Sequence, residues 1–205
     1  MADRMMVEGQ SDAGIAEWFA ERLGVMMEGE GPVTITVPGG STPFPIIEEL
    51  LMHDLDWSRL VVWPNDDRVV PEDHAASNTG KLRTAFEGVG AEVVTLTVME
   101  AVPHFDLAWL GMGTDGHVAS LFPNTDPRID DNRRVVRLRP DPLPPKAPFD
   151  RISLTLPALL DSREIVLVIR GGEKRAVFEE AAAGGNDLPV ARLLGAATQK
   201  VTCFV

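Results

Sequence analysis

The tripeptide Asp115-Gly116-His117 combines a titratable ring, a carboxylate and a glycine turn within three residues. An unperturbed imidazole titrates near ~6.5, which suits it to taking a proton from water. A carboxylate two residues away, across a glycine, can accept the ring Nδ1–H and fix the tautomer. An isolated histidine is more often structural, but this one stands among glycines, beside an acid, at the end of an apolar run. His53, His74 and His104 lack such surroundings and are expected to be structural.

Three other stretches could hold an anion. Gly39-Gly40-Ser41-Thr42 follows a β-branched run. Its glycines allow close backbone approach, and a helix N-terminus just beyond would favour negative charge. A plain capped turn is an equally good reading of those four residues alone. Asn65-Asp66-Asp67-Arg68 also follows an apolar run, where open α/β sheets build their sites, and Arg68 could clamp an oxyanion. From composition alone, a surface turn is the more common outcome there. Gly171-Gly172-Glu173-Lys174 puts a lysine in the first turn of a helix, the end that repels cations unless an anion joins them. Arg151 is a weaker candidate of the same kind. Asp73 and His74 match no standard metal-ligand spacing.

Two familiar patterns fail on context. Gly111, Gly113 and Gly116 spell G-x-G-x-x-G after a strand, which raises a dinucleotide site. However, Pro123 and Pro127 leave little room for the long helix, and Asp115 sets a negative charge in the phosphate loop. Asp130 and Asp131 also precede the next strand rather than follow it. Ser41 is not a serine-hydrolase nucleophile, because Pro43 stands where that elbow needs glycine.

These stretches must be positioned by regular elements. Ser11 can cap a first helix bearing Ile15, Trp18, Phe19 and Leu23. Continuous apolar runs at 33–37, 60–63, 93–98, 106–110, 165–169 and 201–205 predict strands, with 135–138 and 151–156 also extended. Helices are expected at 44–52, 79–86, 157–160 and 173–183, and from Pro189. Residues 64–78 are expected as a polar loop. Residues 139–148, with five prolines, are expected as an internal loop rather than a linker. Strands alternating with helices, and apolar throughout, predict one α/β domain over residues 1–205. It would have three layers, a mainly parallel sheet with helices on both faces.

The net charge of −12, from 19 Lys and Arg against 31 Asp and Glu, argues against general nucleic-acid binding. An anionic substrate must therefore find a local cluster of cations and N–H groups. No apolar run reaches membrane-span length, and residues 1–10 lack a signal-peptide core. The single cysteine, Cys203, is expected to be buried. A soluble cytosolic protein is expected.

At these residues the chain resembles the 6-phosphogluconolactonase family, within a wider group that includes glucosamine-6-phosphate deaminases. The family pattern G-M-G-x-D-G-H-T-A-S-L-F-P is matched from Gly111 to Pro123, with Val118 in place of threonine. Gly39 to Pro43 matches G-G-S-T-P, and Asp66-Asp67-Arg68 the D-E-R loop, with Asp67 for glutamate. Ser77-Asn78, Arg151-Ile152-Ser153-Leu154-Thr155 and Gly172-Glu173-Lys174 match further segments. The resemblance implies a modified Rossmann-like fold and hydrolysis of a small-molecule phosphorylated sugar lactone, expected of a cytoplasmic monomer or weak homodimer without metal or cofactor. His117 would be the base, held by Asp115, with Arg68 in the active site. Gly39, Gly40, Ser41, Thr42, Asp67, Gly113, Arg151 and Lys174 would line the substrate and phosphate site. About two dozen residues separate Lys81 from Asp106, fewer than the family usually has, which implies a trimmed helix. The deaminases typically follow the D-G-H turn with A-F-N-E-P, whereas Ala119-Ser120-Leu121-Phe122-Pro123 stands here without that acid. A non-catalytic sugar-phosphate or nucleotide binder would have no need of the Asp115–His117 arrangement.

Overall fold

A computed structural model describes residues 3–144 and 147–205. Helix α1 (Asp12–Met27) begins where Ser11 Oγ accepts the Gly14 N–H at 3.1 Å. Strand β1 (Arg4–Val7) precedes it, and β2 (Val33–Val37), α2 (Pro43–Leu50) and β3 (Leu60–Pro64) follow. Next come β4 (Asp66–Arg68), α3 (Asn78–Ala85), β5 (Glu92–Val93) and β6 (Phe105–Leu110). The remainder is β7 (Val135–Leu138), β8 (Arg151–Leu154), α4 (Leu156–Leu160), β9 (Ser162–Val168), α5 (Gly172–Ala182), α6 (Pro189–Ala196) and β10 (Lys200–Phe204).

Seven strands form one sheet in the order β1-β10-β9-β6-β2-β3-β5, every pairing parallel. Their apolar side chains feed two cores. One contains Ile15, Phe19 and Leu23 of α1, Ile46 and Ile47 of α2, and Leu82 of α3, packed on Ile35, Val62 and Leu107. The other contains Leu159, Phe178 and Leu193 from α4, α5 and α6 on Ala108, Ile165 and Val201. Helices therefore cover both faces, as a buried parallel sheet requires. Cys203 is buried in the second core, and burial pushes its thiol up to about 12.

Three features depart from the expected pattern. Residues 64–78 include a strand, β4, which joins β8 and β7 in a separate three-stranded antiparallel sheet. Asp-Asp-Arg has little strand propensity; pairing with Arg151, Ile152 and Ser153 imposes the conformation. The run 93–98 forms a strand only at Glu92–Val93. Asn65 donates to Val37 O on the β2 side, so the alternate residue, Pro64, faces β5 and has no N–H to extend the ladder. The edge strand β1 lies in a segment too polar and short to announce itself. Among the described residues no helix lies between α3 and β6. The described part of 139–148 has neither helix nor strand; Pro145 and Lys146 of that predicted loop lie outside the described residues.

Leu107 is fully buried in the central strand β6. Leu107→Ala is expected to lower stability by about 2–5 kcal/mol, measured by denaturant unfolding.

Candidate active site

The sheet reverses its direction of growth between β2 and β6. From β2 the chain builds outward through β3 and β5; from β6 it builds the other way through β9 and β10. The loops after β2 and β6 diverge at that point and open a cleft at the strands' carboxyl ends. The cleft has a volume of about 360 Å³. Gly39, Gly40, Ser41 and Thr42 form one wall, and Gly113 and His117 another. Arg68 and Arg151 enter from the small sheet, and Lys174 from the first turn of α5.

The His117 turn is folded by its own backbone. Gly113 N donates to His117 O at 3.0 Å and Gly116 N to Gly113 O at 3.1 Å. Asp115 Oδ1 lies 2.6 Å from His117 Nδ1 and accepts the His117 backbone N–H at 3.2 Å. With Nδ1–H donated to the carboxylate, the neutral ring carries its lone pair on Nε2. Burial disfavours the Asp115 charge, but the hydrogen bond and charge of His117 outweigh it, holding this carboxyl below its usual range. Phe122 lies against the ring, its centroid 4.6 Å away. Glycine is required at 113, because a Cβ there would sit 2.2 Å from the His117 ring.

The small sheet sets the cationic side. Arg68 and Arg151 are direct cross-strand partners. Like charges placed opposite one another repel, so this pair favours an anion beside it. Arg68 Nη1 donates to Ala76 O at 2.9 Å and Asn78 Oδ1 at 2.6 Å. Its Nε is buried with no partner among the described residues. Arg151 donates to the carbonyls of Phe149 and Ala147 at 2.5 and 2.7 Å. Burial, and then the neighbouring Arg68 charge, push its guanidinium below the ordinary range.

Asp67 does not reach the cleft. Its carboxylate accepts the backbone N–H groups of Arg68, Asn78 and Thr79 at 2.7, 2.6 and 2.9 Å, and the Ser77 hydroxyl at 3.2 Å. It anchors the N-terminus of α3, and its expected place among the substrate-binding residues is corrected to that role. Alternate strand residues face opposite ways, so Asp66 and Arg68 share the cleft side while Asp67 turns from it. Asp66 was not singled out from the sequence because β4 was not foreseen; with the strand known, its parity identifies the residue. Asp66 Oδ2 accepts the Ser120 hydroxyl at 2.5 Å, and Asn78 Nδ2 donates to the Asp66 backbone carbonyl at 2.8 Å. Asn78, Ser120 and Phe122 also line the cleft. The Asn78 amide packs so close to Gly39 that a Cβ there would lie 1.9 Å from Asn78 Cγ. Among the described residues no group of three or more His, Cys, Asp or Glu side chains could hold a metal ion.

A parallel sheet whose switch point opens on a cleft lined by glycines and cationic side chains defines a Rossmann-like α/β protein. The chain belongs to the family of glucosamine-6-phosphate isomerases/6-phosphogluconolactonase, which matches residues 9–100 and 87–203. A 6-phosphogluconolactonase of Neisseria meningitidis serogroup A is 33% identical over 93% of this chain and 91% of its own length. One from Pseudomonas putida is 34% identical, over 86% and 80%. The crystal structure of a 6-phosphogluconolactonase from Thermotoga maritima superposes with a TM-score of 0.80 at 25% identity, covering 100% of this chain and 99% of that one. No helix among the described residues is long and apolar enough to cross a membrane.

Burial pushes the Asp66 carboxyl above its ordinary value, outweighing the Ser120 hydrogen bond and the Arg68 charge. A raised acid favours the folded state below the unfolded pKa, and that contribution is lost as pH rises through the folded value. Asp66→Asn is therefore expected to raise Tm at pH 8, with the gain shrinking toward pH 3, as followed by thermal unfolding across that range.

Proposed function

We propose that this chain hydrolyses 6-phospho-D-glucono-1,5-lactone to 6-phospho-D-gluconate, the ester-opening step of the oxidative pentose phosphate pathway. The observation that carries the reading is the 2.6 Å pairing of His117 Nδ1 with Asp115 in a cleft that also holds Arg68, Arg151 and Lys174. The family and the names of its relatives agree with it. Residues 119–123 carry no carboxylate, unlike the deaminase pattern at that position.

In this mechanism His117 Nε2 takes a proton from water, and the oxygen adds to lactone carbon C1. Asp115 stabilises the imidazolium that forms. Arg68 and backbone N–H groups of the glycine loops bear the tetrahedral oxyanion. Collapse breaks the bond from C1 to the ring oxygen, and His117 returns its proton to that oxygen. A δ-lactone is a strained ester held by its ring in the more reactive E conformation, so a base and good positioning suffice. Ser41, Thr42, Gly39, Gly40, Lys174 and Arg151 hold the phosphate, far from the reacting carbon, and their binding energy orients it. Gly113 leaves room for the ring. All of this is assigned to one domain spanning residues 1–205, acting in the cytoplasm on a small molecule, as a monomer or weak homodimer.

A pH-drop assay on freshly generated lactone, corrected for spontaneous opening, tests the reading; acid release no faster than background would end it. His117→Ala is expected to lower kcat about 10²–10⁴-fold with little change in substrate affinity. Lys174→Ala is expected to raise KM about ten-fold or more while kcat changes little, as read from the same assay across substrate concentrations.

A further inference from the structure

The turn that carries His117 is held from behind by a second segment, residues 186–192, none of which lines the cleft. Val190 N donates to Gly116 O at 3.0 Å. Leu188 sits directly on Gly116, where an added Cβ would lie 2.8 Å from Leu188 Cδ1. Arg192 reaches the far end of the same loop. Its Nη1 donates to Asp126 Oδ1 at 2.6 Å and to Pro127 O at 2.9 Å. Its Nε and Nη2 grip Asp187 at 3.0 and 2.8 Å. The segment's own course is set by Asn186, whose Oδ1 accepts the Leu188 N–H at 3.2 Å, and by Pro189 at the start of α6.

What is held in this way is a backbone that would not hold itself. Gly116, Ala119 and Asp126 have φ of +76°, +51° and +43°. Two of these are not glycine, and such conformations persist only where surrounding contacts over-determine them. Gly116, by contrast, is free to leave its conformation at little cost. It stands between Asp115 and His117, so any rotation there separates the carboxylate from the ring it fixes.

We infer that residues 186–192 are a brace that positions the His117 turn, with Leu188 as the contact and Arg192 as the latch. Both are positioning residues: neither touches the cleft, and both act through Gly116 and the loop that follows it. The kinetic side of the inference rests on the lactonase reading. Leu188→Ala opens space over Gly116 and loosens the Asp115–His117 pair, while the phosphate-side groups Arg151 and Lys174, carried by β8 and α5, stay in place. Base geometry is therefore lost without loss of phosphate binding.

The test uses the full chain with Leu188→Ala, Leu188→Met and Arg192→Ala, assayed well below each variant's Tm. Leu188→Ala is expected to lower kcat about 10- to 100-fold, because small misplacements of a reacting group cost that much. KM should stay within about two-fold, as expected when only a transition-state contribution is removed. Leu188→Met, of similar volume, should restore kcat, and Arg192→Ala should show a smaller loss of the same type. NMR of the His117 ring nitrogens supplies a readout independent of turnover: the Nδ1–H signal of the Asp115 pair should shift or broaden in Leu188→Ala and return in Leu188→Met. The brace is overturned if folded Leu188→Ala keeps wild-type kcat, if KM rises in step with the loss of kcat, or if its His117 ring signals superimpose on the wild type. Should the wild-type chain not open the lactone, the lactonase reading fails separately, and the ring signals alone decide the brace.

Discussion

Everything in the cleft depends on one topological constraint, the opposite departure of the chain from β2 and from β6. Two neighbouring parallel strands whose following loops turn the same way would bury both loops under one layer of helices. Here the loops separate, so a glycine-rich wall and a histidine turn face each other across open space. The apolar continuity of β2, β3, β6 and β9 fixes this platform, and helices on both faces keep it rigid. The small antiparallel sheet is then added at the rim. It contributes no strand to the platform, yet it supplies Arg68, Arg151 and Asp66, the charged groups that lie opposite the glycines.

The division between what the sequence disclosed and what it concealed follows the range of the interactions. Asp115 and His117 are two residues apart, so their pairing was legible from spacing and turn chemistry. The central strands were legible because burial on both faces leaves a continuous apolar run. By contrast β4 exists only because Arg151, Ile152 and Ser153 come to lie beside it, more than eighty positions later. Without that strand the parity of Asp66, Asp67 and Arg68 could not be assigned, so spacing alone did not say which acid faces the cleft. The bond from Ser120 to Asp66, 54 positions apart, was concealed for the same reason. The early end of β5 turns on which side of β3 the missing Pro64 N–H falls, a register question that composition does not answer.

The two acids at the site illustrate how environment divides one functional group into two roles. Asp115 is half-exposed, close to an imidazole, and held toward its ionised form. Asp66 is buried, donated to by a hydroxyl, and pushed toward its neutral form. A carboxylate that stays charged can support a cation forming on His117. Arg68 and Arg151 set two cations at the cleft of a protein whose net charge is −12, a local field opposite in sign to the global one.

The pairing of Arg68 with Arg151 across β4 and β8 has a thermodynamic corollary. An anion bound at this pair would relieve a like-charge repulsion built into the native state, and the unfolded chain offers no comparable place. Native-state stability would then be linked to the activity of anionic solutes by the ordinary mass-action relation. Melting temperatures recorded in phosphate and in an uncharged buffer would then describe two different equilibria.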